Sequence, residues 1–391
     1  SEVVNRSDEL HERQAMKIDY LIVGSGLTGA VIARTLADAG REVLVVDRRS
    51  HMGGNVHDHG HASGIRIHTY GPHYFRTSSD RVWEWATRFA PFYRYEACLL
   101  SDVDGELAAW PVIADYIRRK VGEDWSPEFV GTPGNFEEAA LAIMPRLIYE
   151  KFVKEYNEKQ WGVPSRTLSA KLCGRFDVRH DGERRLKPNA RFQGIPEPGY
   201  AEWTRRMLDG IPVLLNFDYL ERREEIEVKH WLLFTGPIDE FFGFDLGKLV
   251  YRSQKRSHTY LPDVVGYAQP SGQVNNPTHA GGPHIRTLEW KHMMDSRFAE
   301  RIAGTVLTTE TPFAPDDPSQ YEYPFPDDAN AALYAAYRTR ADALERTLIA
   351  GRLGEYRYYD MDQAIARALA LADRLLTDRR DKRSVDEFSE I

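Results

Sequence analysis

The chain has 391 residues, enough for two or three structural units, and 42% of them are hydrophobic, which supports a substantial core and excludes bulk disorder. A formal net charge of −8 argues against general nucleic-acid binding, which needs a broad basic face, but not against a small anionic ligand held by clustered arginines. The only two cysteines, Cys98 and Cys173, are too few for a disulfide framework or a thiolate metal site and suit a reducing compartment. No metal is expected.

The N-terminal "SEVVNRSDELHERQA" lacks the apolar middle of a signal peptide, and no apolar run approaches the roughly 18–20 residues of a membrane span. A cytoplasmic location is expected. Residues 1–15 and 377–391, both rich in charge, are read as flexible tails.

The first organised pattern is "DYLIVGSGLTGAVIARTLADAGREVLVVD". Tyr20 to Val23 form a short apolar run ending in Gly24-x-Gly26-x-x-Gly29. Ala30, Ala33 and Ala37 follow at helical spacing, Gly40 ends the helix, and Val43 to Val46 lead into Asp47. Glycines between a strand and a helix, with an acid after the next strand, predict a dinucleotide-binding βαβ unit. Gly24 permits the turn, Gly26 lets a pyrophosphate approach the backbone, and Gly29 lets helix and strand pack closely. The helix N-terminus, with Leu27 and Thr28, favours phosphate by roughly 0.3–1 kcal/mol. Asp47, with Arg48 beside it, is placed to meet an adenosine ribose. The alternative is a strand–turn–helix whose small residues serve packing alone. After five more residues, Gly53-Gly54-Asn55 resembles the extended FAD signature of glutathione-reductase-like flavoproteins. No second GxGxxG occurs, so no separate NAD(P)H-binding domain is expected.

From 77 to 172 the spacing predicts a helical-bundle domain, with "DRVWEWATRFAPF" and "NFEEAALAIMPRLIYEKFVKEYNEKQWG" as its helices and Pro145 restarting the second. Residues 173–197 read as irregular strands. A helix over about 200–208, a strand in "PVLLN" and the strand–turn–helix "HWLLFTGPIDEFFGF" return to the nucleotide domain. Segments between 248 and 326 suggest an antiparallel sheet. "DDANAALYAAYRTRADALERTLI" reads as one long helix, and "MDQAIARALALADRLL" as the last, burying Ile365, Leu369 and Leu371. The expected fold class is α/β: a discontinuous Rossmann-like FAD-binding domain (16–76, 198–247 and 327–376), the helical insert (77–172) and an antiparallel β-sheet substrate domain (173–197 and 248–326).

The FAD fingerprint, "IHTYGPHYF", "YNEKQWG", "FTGPIDEFFG" and "GRLGEYRYYDMD", in this order between residues 16 and 376, closely resemble the UDP-galactopyranose mutases. These are flavoenzymes that interconvert UDP-galactopyranose and UDP-galactofuranose. The resemblance implies FAD, active when reduced, bound by Gly24, Gly26, Leu27, Thr28, Gly29, Asp47, Arg48, Gly54, Asn55, His73, Arg352, Asp360 and Met361. It implies Arg175 and Arg286 as essential diphosphate ligands and, with His73, as the catalytic set. Tyr156, Trp161, Phe192, Asn275, Tyr323, Tyr358 and Asp360 are implied to contact the substrate. On residue type alone, Tyr156 and Trp161 are core aromatics and His73 is a satisfied loop histidine. Tyr321 is the alternative register for Tyr323, and Asn276 for Asn275. Tyr356 and Tyr359 stay open between packing and the site, with packing the first reading for each. Phe192 stands where many members have tyrosine, Arg94 where they often have asparagine, and Arg76 where they often have histidine.

Exchanging the sugar rings breaks C1–O5 and joins C1 to O4 without net electron transfer, so the resemblance implies flavin N5 as a covalent nucleophile rather than a redox centre. It also implies an external reductant, NAD(P)H or a reduced flavin source, a lid carrying Gly174 and Arg175, and a homo-oligomer, a dimer first. Two rival readings remain at this level: an amine-oxidase-like FAD oxidoreductase, and a non-catalytic nucleotide-sugar-binding flavoprotein.

Overall fold

Strands buried on both faces must offer apolar side chains in both directions, and three segments do so with a two-residue period. Tyr20 and Ile22, Val43 and Val45, Trp231 and Leu233 face one core; Leu21, Leu44, Val46, Leu232 and Phe234 face the other. The structure, a computed structural model, describes residues 15–378; the expectations for the two tails lie almost wholly outside them. The three segments form the centre of a five-stranded parallel sheet ordered Val213–Leu214, Val43–Val46, Met16–Val23, Ile226–Phe234, Thr347–Ile349. One core holds the helices Leu27–Asp38 and Met361–Leu376, with Ile365, Leu369 and Leu371 all buried, and the wholly buried Trp203. Each such side chain contributes roughly 1.5–3 kcal/mol when removed from water. The carboxyl ends of these strands open on one edge, where ligands of such sheets bind.

A second sheet has seven strands, ordered Tyr323–Pro324, Tyr251–Leu261, Thr305–Phe313, Arg286–Glu289, Gln273–Asn275, Leu99–Val103, Glu106–Trp110. Its last two strands come from the segment expected to be helical. They form a hairpin about Asp104 and Gly105, both at positive φ, the backbone that an Asp-Gly turn provides. Because Gln273–Asn275 runs parallel to Leu99–Val103, the sheet is mixed rather than antiparallel throughout. Residues 173–197 do not join it. Phe192–Pro196 lies between Phe75–Thr77 and Phe92–Arg94 in a small antiparallel sheet, and Val178–Arg179 pairs with Val112–Ile113.

The helical region restarts at Pro145, through Arg146–Ile148, a π-turn at Tyr149–Lys154 and a final helix Glu155–Trp161. Gly162, at φ 73°, closes that helix by donating its N–H to the Glu158 carbonyl at 2.8 Å. The helix Asp328–Asp342 is shorter than expected, because Thr347–Ile349 leave it to form the edge strand of the parallel sheet. Among the described residues no helix is long and apolar enough to cross a membrane.

Two glycines in this frame separate packing from freedom. A Cβ on Gly29 would lie 1.9 Å from the Gly24 carbonyl oxygen, whereas one on Gly60 meets nothing within 4 Å. Gly29→Ala is expected to cost at least about 1–3 kcal/mol by overpacking the strand–helix contact. Gly60→Ala should stay within about 0.5 kcal/mol of the parent. Urea denaturation of both variants checks this, and equal midpoints would refute the close-packing role of Gly29.

Candidate functional site

One cavity runs from the carboxyl edge of the parallel sheet to the face of the seven-stranded sheet. At its first end the two glycine segments touch. Gly53 donates its N–H to the Ser25 carbonyl at 3.1 Å, and a Cβ on Gly54 would lie 2.7 Å from the Gly26 Cα. Gly24, Gly26, Leu27, Thr28, Asp47, Arg48, Gly54 and Asn55 all line this end; Gly29 sits behind it, packing helix on strand. The Asp47 carboxylate accepts hydrogen bonds from the Ser25 N–H (2.8 Å), the Ser25 hydroxyl (2.5 Å) and the Arg49 N–H (2.9 Å), which fixes it at the strand end. Arg48 is forked onto Glu240 at 3.0 and 2.7 Å, and Asn55 accepts from Arg49 at 3.0 Å.

The last helix aims its N-terminus into the same space. Asp360 and Gln363 cap one another in a reciprocal box, leaving the amides of Met361 and Asp362, both on the cavity wall, for a ligand. Arg76 reaches Asp360 at 3.3 Å from across the cavity.

His73 occupies the middle. Its Nδ1–H donates to the Gly71 carbonyl at 2.7 Å, and its backbone N–H donates to His68 Nδ1 at 3.0 Å. Burial, reinforced by the charges of Arg352 and Arg256, pushes its pKa down to about 4. The ring is therefore neutral near pH 7, with its proton on Nδ1 and an acceptor lone pair on Nε2. Arg352, also on the wall, donates through Nη2 to the Glu322 carbonyl, while its buried Nε–H has no partner.

At the second end, Arg286 stands on its strand with Nε donating to Glu310 at 2.7 Å. Its terminal amines make no hydrogen bond to the described residues. Tyr156 lies close enough that Arg286 partly offsets the rise burial imposes on its hydroxyl pKa. The helix carrying Tyr156 is fixed by Arg252, donating to the carbonyls of Gln160 (2.7 Å) and Lys159 (3.1 Å), and by Lys159, donating to those of Asn276 (2.9 Å) and His284 (3.0 Å). The rings of Tyr323 and Tyr358 lie near-parallel at 6.2 Å. The Tyr358 ring has the guanidinium of Arg175 at 4.3 Å and that of Arg352 at 4.9 Å. Arg175 itself is exposed, at the mouth rather than on the wall.

In each open register the two candidates have different surroundings. Tyr321 and Tyr323 both line the cavity, but Tyr321 stacks on Tyr251 at 4.1 Å whereas Tyr323 joins Arg352 and Tyr358. Asn276 spends its amide on the carbonyls of Gly281 and His284, whereas Asn275 is the cross-strand neighbour of Arg286. Tyr156 and Asn275 stand beside Arg286 without lining the cavity, and two further residues lie elsewhere. Trp161 is buried in the helical core, edge-on to Phe325 at 5.8 Å. Phe192 stacks on Trp83 at 4.9 Å and lines a separate groove with Arg94. Strand alternation explains the second case: Gln193 shares its sheet face with Arg76, on the cavity wall, and Phe192 takes the other. Tyr356 anchors Phe325 and Val250 through its hydroxyl, whereas Tyr359 reaches the wall. The sequence reading missed Glu310 and Glu322, which accept from the wall's Arg286 and Arg352, and Arg256, which pairs with both carboxylates; no local pattern marks them.

Residues 151–358 match the family model for UDP-galactopyranose mutase, and residues 22–89 that for an NAD(P)-binding Rossmann-like domain. A probable UDP-galactopyranose mutase of Klebsiella pneumoniae is 31% identical over 95% of this chain and 98% of its own length. The chain belongs to the UDP-galactopyranose mutase family. A dTDP-fucopyranose mutase of Escherichia coli is 28% identical over 92% of this chain and 99% of its own. A crystal structure of reduced UDP-galactopyranose mutase shares the fold at a TM-score of 0.72, with 16% identity over 92% and 95% of the two chains. The cavity's donor set fits a flavin dinucleotide: two touching glycine turns leave room for a pyrophosphate, and a helix N-terminus and the orphaned Arg352 Nε–H offer hydrogen bonds to an electron-rich ring.

The histidines beside the glycine segments tie stability to pH. His51 and His57 stack at 3.8 Å, and burial lowers the pKa of both, that of His57 to about 4 with help from its histidine neighbours. Between about pH 6.5 and 4 the unfolded chain binds protons these rings refuse when folded, so stability falls as pH falls through that window. The melting temperature should drop between pH 7 and 4, and His57→Gln should flatten part of that slope. An unchanged slope in the variant would show that His57 is not held neutral by the fold.

Proposed function

We propose that this enzyme interconverts UDP-galactopyranose and UDP-galactofuranose on bound, reduced FAD. The observation that carries the reading is the joining of two unlike walls in one cavity: glycine turns and a helix N-terminus on one side, arginines and tyrosines on the other. Reduced flavin supplies, when bound, a nucleophilic nitrogen for the anomeric carbon. Arg286, with two terminal amines free, and Arg175, at the mouth, bind the diphosphate and keep UDP captive while the sugar changes ring size. Tyr323 and Tyr358 offer hydroxyl donors to the same phosphates, and Tyr156 offers a flat face to the uracil. Arg352 favours the reduced, electron-rich ring by its charge, and neutral His73 turns an acceptor toward the flavin through Nε2. Residues of this kind bind an anionic substrate, which disfavours an amine-oxidase reading. No second dinucleotide unit follows from the sequence, so reduction by an external donor such as NAD(P)H is an activation event rather than part of each turnover.

The test is chromatography of UDP-sugars after incubation of the FAD-loaded protein with UDP-galactose. Conversion is expected with dithionite and not without it, and no new UDP-sugar under reducing conditions would overturn the assignment. Arg286→Ala and Arg175→Ala should each lower kcat/KM by at least about 2 kcal/mol, roughly 30-fold. Near-parent values in both would remove the diphosphate roles.

A further inference from the structure

Four neighbouring strands of the large sheet place Asn275, Arg286, Glu310 and Arg256 directly opposite one another, so their side chains form one row on one face. Glu310, 0% exposed, is the hub of that row. Its Oε1 accepts from Arg286 Nε at 2.7 Å, and its Oε2 lies 3.0 Å from Arg256 Nη2. Arg256, 9% exposed, is held in turn: it forks onto Glu322 at 2.7 and 3.0 Å and donates to the Tyr70 carbonyl at 2.8 Å. Gly71, the next residue, rests on the pair, since a Cβ there would lie 3.0 Å from Arg256 Nη2 and 3.2 Å from Glu310 Oε2. Glu322 also supplies the carbonyl that binds Arg352.

A carboxylate that binds an arginine end-on, through both terminal amines, consumes the fork a diphosphate needs. Glu310 binds Arg286 from the side, through Nε alone. Both terminal amines therefore stay available on the cavity wall, and the guanidinium is kept from swinging by a partner that cannot itself move.

We infer that Glu310, braced by Arg256, is a positioning residue that presents the Arg286 fork to the substrate diphosphate and fixes its distance from the Tyr70–His73 loop. This rests on the reading of Arg286 as a diphosphate ligand. Burial alone would raise the Glu310 carboxyl, but Arg286 and Arg256 outweigh it and hold it below the usual carboxylate range, so the brace is charged at neutral pH.

The experiment is a thermodynamic cycle with UDP as the probe, titrated into the FAD-loaded protein and into its Glu310→Gln, Arg286→Lys and doubly substituted forms. Glu310→Gln should weaken UDP binding about tenfold or more, as should Arg286→Lys. The double variant should match Arg286→Lys within about twofold, because the carboxylate acts only through the arginine fork. A purely structural role for Glu310 lowers the melting temperature without producing that non-additivity. If Arg286→Lys weakens UDP while Glu310→Gln does not, or if the two losses multiply, the positioning role is overturned and the diphosphate reading stands. If Arg286→Lys binds UDP like the parent, both fall. Should Glu310→Gln not fold, Arg256→Lys keeps the charge but loses the fork that spans Glu310, Glu322 and Tyr70. It is expected to weaken UDP severalfold and non-additively with Arg286→Lys, and additive losses overturn the inference there as well.

Discussion

Two guanidiniums and two carboxylates lie buried between the large sheet and the cavity, and their mutual pairing constrains everything around them. An ion left alone in such a place costs several kcal/mol, and breaking one partner of a buried pair costs about 3–5 kcal/mol. Here the pairing is set by strand register: Arg256 opposes Glu310, and Glu310 opposes Arg286. A slip of one residue would turn every member of the row to the other face. The register of a sheet separate from the nucleotide-binding one thus decides whether a usable arginine fork exists at all.

The cofactor side obeys a different constraint, close backbone approach. A Cβ on Gly24 would collide with Thr235, at 2.0 Å, and one on Gly54 with Gly26, at 2.7 Å. The two sides are not independent. Arg256 grips the Tyr70 carbonyl, and the His73 loop follows within three residues. Arg76 grips Asp360, whose other task is to cap the helix pointing at the cofactor end. The first link joins a charge to a loop backbone, and the second joins a charge to a helix cap.

This division explains what was legible in the sequence. The βαβ unit, the twin glycine and the final helix are written in local spacing, and the structure builds them at Met16–Val46, Gly53–Gly54 and Met361–Leu376. The hairpin about Asp104-Gly105 was also written locally, but the helical periodicity on either side of it dominated the reading. Phe192 and Trp161 carry the residue types of a binding platform, yet strand alternation and helix packing turn them away from the cavity. Glu310 and Arg256 were illegible for a deeper reason. They are 54 positions apart, lie in ordinary strand sequence, and acquire meaning only when register sets them side by side.

The two arginines at the second end of the cavity are held by forces of different size. Arg286 is tied to a buried carboxylate, which restrains its guanidinium. Exposed Arg175 rests on the Tyr358 ring at 4.3 Å, a contact worth about 0.5–1 kcal/mol in water. An interaction near RT is broken and remade readily, so the Arg175 side chain is held far more loosely than Arg286, while its segment Ala170–Arg175 stays packed through Ala170, Leu172 and Cys173. On the proposed mechanism, in which UDP leaves the sugar and returns to it, a restrained cation and a loosely held one serve different steps. The Tyr358 ring meets both Arg175 and Arg352, at 4.3 and 4.9 Å, and so links the loosely held charge to one on the cavity wall.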